Sequence, residues 1–78
     1  METFGQRLKY ARERALMTQA ELSRKAGVAI VTISRLETGD SPYPRAATVK
    51  LLAAALGVDA ATLMFGEGEK TRAQRRAG

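Results

Sequence analysis

Phe4, Leu8, Ala11 and Ala15 fall on one helical face, while Arg7, Lys9, Arg12, Glu13 and Arg14 fall mostly off it, which predicts a first helix from Phe4 to Ala15. Thr3 and Gln6 stand at capping-box spacing before it. Thr18 and Glu21 repeat that spacing, Met17 and Leu22 form a hydrophobic staple, and Gly27 supplies a left-handed stop, so a second helix runs from Gln19 to Ala26. A third begins two or three residues later, carrying Ile30 to Thr38 before Gly39. Ala29 is a poor cap for it, but Val28 and Ile33 have staple spacing. Asp40-Ser41-Pro42-Tyr43-Pro44 reads as a loop, because two prolines and an Asp-Ser pair disfavour helix. Val49, Leu52, Ala53 and Leu56 stripe a fourth helix from Ala46 to Leu56, with Gly57 as its stop. Asp59 caps a fifth that ends at Leu63, Met64 and Phe65. No strand-like alternation interrupts this pattern, so the expected fold is all-α: a compact bundle of five helices over residues 4–65. From Gly66 to Gly78 there is no Leu, Ile, Val or aromatic residue, which predicts a flexible basic tail.

Composition narrows what such a bundle does. At 78 residues the chain holds one domain rather than two. It has no cysteine and no histidine, so disulfides and thiolate metal sites are excluded, and the commonest general base and metal ligand are missing. No cluster of carboxylates, lysines or hydroxyls takes their place. The expectation is a protein that is not an enzyme and needs no metal or cofactor. A net charge of +5 favours a polyanionic partner. No apolar run approaches the ~18 residues of a membrane span, and the N-terminal stretch lacks the apolar core of a signal peptide, so an intracellular location with no membrane partner is expected.

The stretch from Thr18 to Thr38 carries the most specific signal. Two short helices joined by a tight glycine turn form a helix-turn-helix unit. Its geometry needs a small residue where the helices cross, at Ser23, and a left-handed backbone at Gly27. Leu22, Ala26, Val28, Ile33 and Leu36 must point inward together. On a wheel with Ile33 at zero, Leu36 lies beside it, Val31, Ser34, Arg35 and Thr38 fall on the opposite side, and Ile30 and Thr32 flank the edges.

Further residues fall in register around this unit: Gly5-Gln-Arg-Leu8, Ala11-Arg-Glu-Arg14, Met17 to Gly27, Ile33 to Gly39, Pro44, Thr48-Val49, Leu52-Ala53 and Ala55-Leu-Gly-Val58. With these, the chain resembles the Cro/phage-repressor (Xre-like) helix-turn-helix family over about residues 4 to 65. The resemblance implies a lambda-repressor-like DNA-binding domain. It implies a sequence-specific transcriptional regulator of double-stranded DNA, a repressor acting as a homodimer on a two-fold symmetric operator. It implies a cytoplasmic setting, on a bacterial nucleoid or encoded by a phage or plasmid. Family domains also serve as antitoxins or targeting modules, in which the same face binds a protein.

For the site, the resemblance implies that the outward face of the third helix meets base edges. Arg35 is the candidate for bidentate readout of guanine; Ser34 and Thr32 are donors to bases or phosphates. Ile30 and Val31 are apolar where the family often has polar side chains, and thymine methyls would cover them; packing against the second helix or the following loop is the alternative for Ile30. The resemblance further implies that Gln19 and the free amides around it grip one phosphate, and that Thr38 and Arg45 grip others. Arg12 and Glu37 match an internal ion pair of the family between the first and third helices. Leu63, Met64 and Phe65 are the candidate dimer seam or, alternatively, the closure of the monomer core. No small-molecule ligand is expected.

Overall fold

The computed structural model describes residues 2–41 and 43–66, and these form five α-helices. They are α1 (Phe4–Arg14), α2 (Gln19–Ala26), α3 (Ile30–Thr38), α4 (Ala46–Leu56) and α5 (Ala60–Phe65). The segment 67–78, read above as a basic tail, lies outside the described residues.

Local sequence accounts for most helix ends. Thr3 Oγ1 accepts from Gln6 N while the Gln6 side chain accepts from Thr3 N, and Thr18 and Glu21 do the same for α2. Asp59 Oδ2 accepts from Thr62 N at the start of α5. Ala29 makes no side-chain cap for α3, as its chemistry dictates. One end departs from expectation. α1 stops at Arg14, and Ala15 is already its cap. Leu16 then takes a left-handed φ of 58°, with its N–H bonded to Glu13 O and the Met17 N–H to Arg12 O. That hydrogen-bond pattern is the usual helix-ending Schellman arrangement, with a leucine where glycine is favoured.

The main packing partners close a ring: α1 on α3, α3 on α2, α2 on α4, α4 on α5, and α5 back on α1. Inside it lie Leu8, Leu22, Ile33 and Leu52, all fully buried, with Phe4, Val28, Leu36, Val49, Leu56 and Leu63 around them. The α1–α3 contact is unusually close. A Cβ on Gly5 would overlap the Leu36 carbonyl oxygen and stand 2.9 Å from Glu37 O, so only glycine lets α1 lie against the end of α3. Arg7 closes the ring on the opposite side. Its Nε donates to Leu63 O at 2.9 Å and its Nη2 to Met64 O, which satisfies carbonyls at the C-terminal end of α5. Arg7 thus belongs to the packing and not to the solvated charge of α1, because the free carbonyls of a short neighbouring helix offer it partners.

Candidate nucleic-acid interface

α2 and α3 meet at the expected turn. Gly27 is left-handed, with φ 70° and ψ 31°. Ser23 does more than leave room at the crossing: its Oγ donates to Val28 O at 2.7 Å, while its own carbonyl accepts from Gly27 N and Val28 N. These three bonds lock the turn and so the angle of α3.

Burial then divides α3 into two faces. Ile33 and Leu36 are in the core, at 0% and 3% exposure. Ile30 and Val31 are 47% and 51% exposed, Arg35 and Thr38 are exposed, and Thr32 and Ser34 are half-buried at the edges. The six side chains therefore share one outward surface, with Ile30 on it and not packed away. Thr38 Oγ1 bonds back to Arg35 O at 3.2 Å.

Behind this face stands a charged network. Arg12 Nε and Nη2 donate to Glu37 Oε2 and Oε1 at 2.7 and 3.0 Å, and Arg12 Nη1 donates to Met17 O at 2.9 Å. The pair is largely enclosed, its side chains 13% and 4% exposed. Hydrogen bonding to Glu37 raises the Arg12 guanidinium above its ordinary pKa, against the opposing effect of burial. Gln19 joins the network, its Nε2 donating to Glu37 Oε1 at 3.2 Å. A phosphate-facing role for Gln19 thus falls to the second N–H of its Nε2 and to the first backbone amides of α2, since the other N–H of that amide already holds Glu37. The network ties α1, the α1–α2 loop, the start of α2 and the far half of α3 together.

Arg45 is exposed and stands at the N-cap of α4 without a side-chain cap bond. It shares a shallow hollow with Thr32, Leu36, Ser41, Tyr43, Pro44 and Thr48, which brings it beside the outward edge of α3. Tyr43 projects from the loop at 92% exposure. Arg45 and Thr32 border the same hollow, Gln19 is drawn to Glu37, and Arg35 and Thr38 sit on the open face.

Of the candidate seam, Leu63 is buried at 3%, Met64 packs against the core, and Phe65 is 63% exposed. Leu63 therefore closes the monomer, because α5 needs an inward anchor; only Phe65 projects fully. Gly5 and Arg7 also position these elements, and no local sequence pattern marks them for it. Their signal is tertiary: each acts through carbonyls more than thirty residues away.

A model of the helix-turn-helix family matches residues 8–63, and the chain belongs to that family. It is 40% identical over 68 residues to the HTH-type transcriptional repressor RghR of Bacillus subtilis (strain 168), which covers 87% of this chain and 50% of that protein. It is 38% identical over 68 residues to the uncharacterized HTH-type transcriptional regulator RghRB of the same organism, covering 87% and 49%. The chain thus spans about half the length of these curated relatives. Among solved structures it is similar to the P22 c2 repressor in complex with synthetic operator 9T, with a TM-score of 0.76 and 27% identity over 85% of this chain and 98% of that one. It is also similar to a chain of the SinR/SinI complex, with a TM-score of 0.78 and 31% identity over 87% of this chain and 66% of that one.

Proposed function

We propose that this chain binds double-stranded DNA sequence-specifically and represses transcription as a homodimer on a two-fold symmetric operator, in the cytoplasm. The observation that carries the reading is the outward face of α3. Ile30, Val31, Arg35 and Thr38 stand exposed on a helix whose opposite side is in the core and whose orientation is held by Arg12–Glu37. The relatives support it: one is named a transcriptional repressor, and the P22 c2 repressor is bound to a synthetic operator. Among the described residues, no helix is long and apolar enough to cross a membrane.

Base readout falls to Arg35 on guanine, to Ile30 and Val31 on thymine methyls, and to Thr32 and Ser34 at the edges. Gln19, Thr38 and Arg45 set register through phosphates. One domain reads only a few base pairs, so two copies on half-sites roughly one helical turn apart supply the specificity. Selection from a random duplex library tests this. The expected result is a palindromic site with a guanine and adjacent A·T pairs in each half. A library that shows no enrichment overturns the proposal.

A further inference from the structure

Large apolar side chains left exposed on this protein are not scattered. Tyr10 and Val58 line a groove between α1 and α5. Ile30 and Val31 stand side by side in the first turn of α3, on the face that the reading above turns to base edges. The N-terminal residues of such a helix are the ones that reach the bases. Neither side chain can exchange a hydrogen bond, so what covers them there has to be apolar. In the major groove of unmodified DNA the apolar group on a base edge is the thymine methyl, carried on C5 of the pyrimidine ring.

We propose that Ile30 and Val31 form a reader of the pyrimidine C5 methyl group that does not distinguish thymine from 5-methylcytosine. The inference rests on the DNA reading above and deepens it. The ligand of this part of the face is a methyl group, whichever base carries it. Methylation of a cytosine at C5 therefore strengthens or creates a site for this chain.

Thymine and 5-methylcytosine hold the same methyl at the same edge and differ beside it, where thymine offers a carbonyl acceptor and cytosine an amino donor. Telling them apart takes a side chain that only donates or only accepts. Ile30 and Val31 do neither. The flanking Thr32 and Ser34 hydroxyls do both and rotate to suit. A carboxylate would select the cytosine amino group, but Glu37 is the one acid of α3 and is turned away from the face. Its Oε2 accepts from Arg12, and its Oε1 from both Arg12 and Gln19. Arg35 only donates, yet it stands four and five residues beyond the pair, about 6–7.5 Å along the helix axis. That is roughly two base steps of ~3.4 Å, so its guanine belongs to a different base pair from the methyl.

Titrating the full 78-residue chain with single-base variants of the selected duplex tests the proposal. Two comparisons differ by the methyl alone: thymine against uracil opposite adenine, and 5-methylcytosine against cytosine opposite guanine. Each methyl is expected to strengthen binding roughly fourfold, as for one buried CH₂-sized group, and the two ratios agree at a given position. Ile30→Ala and Val31→Ala each bring the ratio at one position toward unity. Both side chains are exposed and alanine favours helix, so an unchanged melting transition accompanies the effect. Three results overturn the inference. Uracil replaces every thymine of the site without loss; or thymine outbinds uracil while 5-methylcytosine does no better than cytosine; or the methyl effect is the same in both variants, which assigns it to the shape of the DNA. A chain that selects a site but is blind to the methyl sinks this inference alone. A chain that selects no site from the library sinks the DNA reading and this inference with it.

Discussion

Leu16 is 90% exposed and holds a left-handed φ of 58°, a conformation that costs an L-residue roughly 1–2 kcal/mol. Little packing is lost by shortening it. Leu16→Gly is expected to stabilise the fold by about 0.5–1 kcal/mol after the extra unfolded-state entropy of glycine is subtracted; thermal melts of dilute protein check it. Arg35 is the opposite case, an exposed side chain with no acid partner among the described residues and no role in packing. Arg35→Ala is expected to leave the melting transition unchanged. It costs about 1–3 kcal/mol of specific binding and relaxes preference at one position per half-site, read by titrating the selected duplex and its single-base variants. The outward residues of α3 were legible from the sequence because a buried pair three residues apart, Ile33 and Leu36, sets the phase of the whole helix.

Helices here are placed by what holds their ends. α3 has no side-chain cap, so its orientation depends on the Ser23 turn at one end and on Gly5, Arg12 and Gln19 at the other. Gly5→Ala forces a methyl into the Leu36 and Glu37 carbonyls, at an expected cost of about 1–3 kcal/mol, larger than an alanine's helix preference returns. Denaturant titration measures it. In α2, hydrogen bonding to the Thr18 amide lowers the Glu21 pKa below the ordinary carboxylate value. A carboxyl whose folded pKa is depressed contributes stability that is complete above its unfolded value, ~4.3, and is lost as pH falls through the folded value. Glu21→Gln keeps the box, as Gln6 does in α1, but does not titrate. Its loss of stability between neutral and strongly acid pH is therefore smaller than that of the wild type; melts across that range decide this.

At the scale of the whole molecule, a closed ring of five helices turns one side of α3 outward and leaves the α1–α5 groove uncovered elsewhere. On the proposed reading Arg45 neutralises a phosphate in each half-site and releases its counterion, so DNA affinity is expected to fall with salt, linearly in log–log form. Arg45→Ala is expected to reduce that slope by about 1 per half-site and to weaken binding on all sequences alike; a flat salt response counts against the interface. The sequence by itself determined the five helices, their capping boxes, the glycine turn and the inward and outward faces. All of these are set by residues within a few positions of one another, where helical periodicity and cap chemistry act. Tertiary structure alone decided the rest: the close approach at Gly5, the docking of Arg7 on α5, the capture of the Gln19 amide by Glu37, and the division of Leu63 from Phe65. Each of those depends on which distant carbonyl, carboxylate or core surface lies opposite, and no local pattern encodes that.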